Sequence, residues 1–355
     1  MRTMGPREST LRRWRGEGLP AGAGWFGEMC RQLGIEYAQP TAPRVSPGVD
    51  FKMIPTFEEK VLEHKDGHYL VQDWMGNITE ISDTYDVTYI RSAKDFVTRK
   101  WHAFPVSKSA EFAEMKRRYN PDEPSRFPSD FDERVRVLVE RDYPVEISIP
   151  GPFWQMREWC GFEPLCMFFI EQPAFVAEMA MFWSDYIAAM LDRLLSRFVP
   201  DAIHISEDMA YKHASMISPT MAREYLLPAW KRWGRICEEA GVPIYDMDSD
   251  GNIDELIPLW IEAGFTVCDP IEVAAGCDIL AYRERFGKRI AYTGGIDKRA
   301  IAQAGESIRS EMARIAPVVA GGGYIPGCDH GMPPDISWDA LLEFGGLWAE
   351  LTGWR

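Results

Sequence analysis

Basic residues are in short supply. Against 54 Asp and Glu the chain sets only 39 Lys and Arg, giving a formal net charge of -15 and a pI near 5.0. A phosphate backbone is bound by clustered cations, so this balance argues against nucleic acid as a partner. Paired cysteines are missing too. Seven are scattered along the chain (Cys30, Cys160, Cys166, Cys237, Cys268, Cys277, Cys328), an odd number with no CxxC pair. That excludes the familiar structural zinc motifs and a disulfide-stapled secreted domain, and it fits a reducing compartment. No uninterrupted apolar run approaches the roughly 18 residues of a membrane span, and the opening MRTMGPRESTLRRWRGEGLP holds no apolar core of signal-peptide length. The expectation is a cytoplasmic protein that does not engage a membrane.

Apolar residues make up 46% of the 355, enough for one large core. From Tyr143 onward short apolar runs alternate with longer amphipathic ones. YPVEISIPG, DAIHISED, VPIYDMDSD, FTVCDPIE, RIAYTGGID and GGYIPGCDH read as strands, and the segments between them read as helices that start near Ser, Asp or Asn and end in Gly. Six such alternations imply a parallel sheet with helices outside it. A glycine-rich dinucleotide fingerprint is absent, and the polar residues collect where the strands end: Trp154, Glu207, Asp208, Asp248, Asp250, Glu272, Asp297, then Cys328, Asp329 and His330. This layout predicts an α/β chain folded as a (β/α)8 TIM-type barrel, whose active site sits on that face. Two regions of one compact domain are expected. Residues 1–142 form an N-terminal extension with the first barrel strands and a hairpin insertion, GHYLVQDWMGNITEISD, turning at Gly76-Asn77; residues 143–355 form the rest of the barrel.

The segment PIYDMDSDGNIDELIP opens like a calcium loop, with Asp246, Asp248 and Asp250 at every second position and Gly251 next. The pattern fails at both ends. Ile257 stands where a bidentate Glu is required, and GVPIY reads as a strand rather than an incoming helix. What remains is a strand tip with acids on one face. Carboxylates crowded in a partly dry pocket need a cation or protons, and Asp248, Asp250 and Cys328 together offer a ligand set for zinc or another divalent metal. Other candidates take blander readings. Asp246 and Asp254 read as structural acids, His204 as a packing histidine within an apolar strand, His64, His68 and His102 as packing or surface residues, and Cys268 and Cys277 as small buried hydrophobes.

The stretches PIYDMDSDGNIDELIPLWIEAGFTVCDPIE, GKRIAYTGGIDKRAI and GGYIPGCDHGMPPDISWDALL resemble the uroporphyrinogen decarboxylase superfamily, from residue 143 to the C-terminus. That superfamily includes the haem-pathway decarboxylase and corrinoid-dependent methyltransferases. Its zinc methyltransferases carry His-x-Cys-Gly where this chain reads DSDG, and a further cysteine ligand on the last strand. Asp248, Asp250 and Cys328 occupy those positions, and only the cysteine is kept. Two carboxylates are harder donors than His and Cys and suit activation of an oxygen. The resemblance therefore implies transfer of a methyl group from a methoxylated, aromatic or other, small molecule to the cobalt of a corrinoid-binding partner protein, with a homodimer compatible with it. His330, or secondarily Glu207, would protonate the leaving oxygen; Trp154, Tyr211, Asp208 and Glu272 would bind the substrate. The decarboxylase reading ranks second, because an arginine segment of the type MRQAGRY is absent and an acidic mouth repels a polyanion. A corrinoid carrier lacks support, as no Asp-x-His-x-x-Gly segment occurs. A non-catalytic barrel is the remaining alternative.

Overall fold

The computed structural model describes residues 5–37, 44–85 and 98–355. Four strands, β1 (Lys60–Lys65), β2 (His68–Gln72), β3 (Ile78–Ser82) and β4 (Arg99–Ala103), form an antiparallel sheet in that order. Its central turn is the expected one. The Asp73 carboxylate accepts the backbone N–H groups of Met75 and Asn77, both at 2.9 Å, and Gly76 takes the left-handed backbone that closes the hairpin.

The six strands expected after Tyr143 are all formed: β5 (Glu146–Pro150), β6 (Ala202–Ser206), β7 (Ile244–Asp248), β8 (Val267–Ile271), β9 (Ala291–Ile296) and β10 (Tyr324–Cys328). Each pairs in parallel with the next in sequence. A doubly wound sheet would reverse its order at a switch point; this one keeps sequential order without reversal, as a TIM-type (β/α) barrel does. The two further barrel strands expected upstream of residue 143 do not appear in this sheet among the described residues. The chain instead spends much of that region on the antiparallel sheet and on helices Ser109–Lys116 and Phe131–Val139.

Alternation along the strands sorts the side chains. Ile149, Ile203, Ile205, Tyr245 and Met247 are buried in the apolar core. The opposite face holds two polar rows in register, Ser148, His204 and Asp246, then Pro150, Ser206 and Asp248 nearer the strand ends. After Pro152–Cys160 the helical segment between β5 and β6 divides into two helices, Phe162–Glu171 and Pro173–Leu195, because Pro173 cannot continue the first and starts the second. Pro173–Leu195 is long and apolar enough to cross a membrane by length and composition, with mean hydropathy 1.3, which a search for uninterrupted apolar runs passes over. In this fold 61% of its apolar window is buried inside the molecule.

The first turn after β5 is tight. Gly151 donates its N–H to the Ser206 carbonyl at 2.8 Å, and a Cβ at Gly151 would overlap the Glu207 carboxyl group. Gly151→Ala should therefore lower stability by about 1–3 kcal/mol through overpacking, read as a lower denaturation midpoint at unchanged m-value.

Candidate active site at the strand ends

Beyond β6 the chain runs into Glu207 and Asp208, and beyond β7 into Ser249 and Asp250. These tips, with β5 and the helix Pro152–Cys160, enclose a cavity of about 290 Å³ lined by Ser148, Pro150, Trp154, Ser206, Asp208, Asp248 and Asp250. Of the residues expected from sequence, Trp154, Asp208, Asp248 and Asp250 thus share one cavity. Asp208 is held in the left-handed region at φ 45°, a conformation Asp tolerates better than most. Burial raises its carboxyl pKa, and the nearby charges of Asp250 and Asp248 raise it further against the opposing pull of Arg157.

His330 lies outside the cavity lining and meets it through Asp250. Its Nε2 lies 3.0 Å from Asp250 Oδ2, and that hydrogen bond raises the imidazole pKa against the opposing effect of burial. Its neighbour Asp329 is fully buried and accepts the backbone N–H groups of Val273 (3.0 Å) and Lys298 (3.2 Å), fixing the loop after β10. Glu272 acts as a brace. One oxygen accepts the Gly251 N–H at 2.9 Å and the other meets Lys298 Nζ at 3.3 Å.

Three expectations are corrected. Glu207 does not face the cavity as a proton donor. It is fully buried, and its two oxygens accept the Trp154 N–H (3.0 Å) and the Trp230 Nε1–H (2.7 Å), so it pins the N-terminus of one helix to the side of another. Tyr211 is 55% exposed and packs edge-on against Phe162, outside the cavity lining. The zinc set of Asp248, Asp250 and Cys328 does not fit either. Cys328 is 2% exposed and burial pushes its thiol up to about 12, while Asp250 Oδ2 is committed to His330. A zinc-bound thiolate needs its donors converged on one point. Among the described residues such convergence occurs only at Glu146, His204 and Asp246, whose donor atoms lie within 4.8 Å of one another one row deeper in the sheet.

His204 is the main residue that the sequence reading misplaced. Its Nδ1 lies 2.8 Å from Asp246 Oδ2 and its Nε2 3.7 Å from Asp248 Oδ2. Burial works to lower its pKa, but the bonds to both carboxylates prevail and push it up to about 10, so it stands as an imidazolium between two acids. Period-two spacing from Ser206 and Asp248 carries the signal that would have found it. Arg157 was also passed over. Its guanidinium lies 4.2 Å over the Trp154 ring and donates to the Asp208 carbonyl at 3.0 Å, with the Asp208 carboxylate at 3.6 Å. Sequence spacing offers no comparable cue for that stack.

A family model described as uroporphyrinogen decarboxylase (URO-D) matches residues 105–345. Among solved structures, a methyltransferase from Methanosarcina mazei is 14% identical with a TM-score of 0.47, covering 72% of each chain. A B12-independent methionine synthase from Shewanella sp. W3-18-1, in complex with selenomethionine, is 12% identical with a TM-score of 0.41, covering 64% of this chain and 66% of the other. No curated protein matches.

Glu207 makes the site pH-sensitive in stability. Burial raises its carboxyl from the ordinary 4.5 to about 8, against the two N–H donors that favour the ionised form. Between those values the folded state keeps a proton that the unfolded state has lost. The contribution of Glu207 to stability is therefore greatest below 4.5 and is lost as pH rises toward 8, by an amount on the order of a few kcal/mol. Glu207→Gln should lose this slope, so that denaturant midpoints of variant and wild type draw together or cross between about pH 5 and about pH 8.

Proposed function

The chain belongs to the uroporphyrinogen decarboxylase family, and from that premise we propose that it is an enzyme moving a methyl group from a methoxylated small molecule to the cobalt of a separate corrinoid protein. The observation that carries the reading is the cavity of about 290 Å³ walled by Asp208, Asp248, Asp250 and Trp154, with His330 bonded to Asp250 behind the wall. Its size suits a small molecule. Its acids oppose a polycarboxylated tetrapyrrole, which weighs against the decarboxylase alternative.

In this reading the corrinoid partner supplies the nucleophile that takes the methyl group. The chain's own residues do the rest. Trp154, held by the Arg157 guanidinium on its ring, offers an apolar wall for the methoxylated group. Asp208 and Asp248 keep the opposite side polar. His330 is the acid for the oxygen released when the methyl–oxygen bond breaks. Zinc at the strand tips is no part of the proposal, since the donors there do not converge; Glu146, His204 and Asp246 are where a divalent ion would find three donors together, by displacing the proton that His204 carries.

Two assays test it. With methoxybenzene as donor and reduced cobalamin as acceptor, the purified protein should accelerate methylation of the cobalt, followed by the visible absorbance change. Uroporphyrinogen should not be consumed, and its conversion to coproporphyrinogen at about 1 per second or faster would overturn the assignment.

A further inference from the structure

We propose that Asp250 is the positioning residue of His330, and that the two work as an acid–base dyad at the barrel mouth in place of the metal ligation that the tip of β7 would otherwise serve. The inference deepens the methyl-transfer reading and takes its substrate from it, while its geometry stands apart from any substrate.

Two braced turns, far apart in sequence, present the pair to each other. On one side, Gly251 sits at φ 87° where a Cβ would overlap Ala210 O and Tyr211 O, and the next residue, Asn252, donates its N–H to the Tyr211 carbonyl at 2.7 Å, so the Asp250-Gly251 turn is packed against the segment after Asp208. Its N–H is tied to Glu272, and Ser249 Oγ donates to the Asp250 carbonyl at 3.1 Å. On the other side, the buried Asp329 anchors the loop that carries His330 to the starts of two neighbouring segments, at Val273 and Lys298. Neither turn depends on the Asp250–His330 bond, yet together they set Nε2 and Oδ2 3.0 Å apart. A carboxylate bonded to one ring nitrogen fixes the plane of the imidazole and favours its charged form, which is what an acid waiting for a leaving oxygen requires. The charged groups facing the pair are Asp208, which feels Asp250 from the neighbouring tip, and Glu272 just after β8 and Lys298 after β9, which act on His330. Glu272 reinforces the charged imidazole and Lys298 opposes it. In the reaction the methyl carbon leaves with the attacking nucleophile, the bonding pair stays on oxygen, and His330 gives that oxygen its proton. Asp250 stays ionised throughout.

The full chain labelled with 15N-histidine tests the dyad, with the His330 ring signals assigned through His330→Gln. In wild type the His330 titration midpoint should lie above that of an ordinary histidine. In Asp250→Asn it should fall back toward the ordinary value, and Asp250→Glu should restore most of the rise. Added zinc chloride should shift the melting temperature of wild type and Asp250→Asn equally. An unchanged His330 midpoint in Asp250→Asn overturns the proposal. So does a zinc-dependent rise in wild-type melting temperature that Asp250→Asn abolishes. Should Asp250→Asn fail to fold, Asp250→Glu decides: it must keep the raised midpoint and the wild-type response to zinc. Neither readout uses a methyl donor, so a wild-type protein inert toward methoxybenzene would count against the methyl-transfer reading alone.

Discussion

Repulsion between carboxylates is the constraint around which the barrel mouth is organised. Asp208, Asp246, Asp248, Asp250 and Glu272 all end up near the C-terminal ends of neighbouring strands, where low dielectric makes like charges costly. The fold answers with a basic side chain for each local group: Arg157 for Asp208, His204 for Asp246 and Asp248, His330 for Asp250, Lys298 for Glu272. These side chains come from four different places in the chain: the helix after β5, the middle of β6, the loop after β10 and the start of the helix after β9. Parallel pairing of the strands in sequential order is what brings their C-terminal ends side by side and allows these groups to meet.

Glu207 solves the same problem by another route. Sealed from solvent, it has no cation in contact among the described residues; two N–H donors and a raised pKa take the place of one. The carboxyl group fills the space above Gly151, so the turn after β5, the tip of β6 and the Trp230 helix lock through a single side chain. Trp154 follows from that lock. Its backbone N–H is held by Glu207 while its ring faces the cavity and the guanidinium of Arg157. Structural and functional demands are thereby divided between adjacent acids, Glu207 for the frame and Asp208 for the pocket.

Much of this arrangement was legible in the sequence. The apolar runs marked all six parallel strands, Gly76-Asn77 marked the hairpin, and the polar residues at strand ends marked the mouth, because these signals are local and follow from backbone period and turn chemistry. Pairing was less legible. His204 meets Asp246 across 42 positions and His330 meets Asp250 across 80, and no local pattern states which acid receives which cation. Cys328 shows the same limit. Its neighbours Asp329 and His330 suggested a reactive tip, but strand alternation turns the thiol into the core and leaves His330 to reach the site. In the N-terminal region the hairpin is legible but its flanking strands are not: β1 and β4 are short and largely exposed, so they lack the apolar alternation that marks a strand.

Balancing the mouth pair by pair has a consequence for how such a pocket can diversify. Were the charge offset by one shared ion, replacing any ligand would disturb all the others at once. Here each acid answers chiefly to its own partner, so the pocket is divisible. Exchanging Asp250 and His330 for another complementary couple would alter the reactive corner while Arg157, His204 and Lys298 went on neutralising theirs. A scaffold of this kind can trade one chemistry for another a corner at a time, without passing through a sequence that no longer folds.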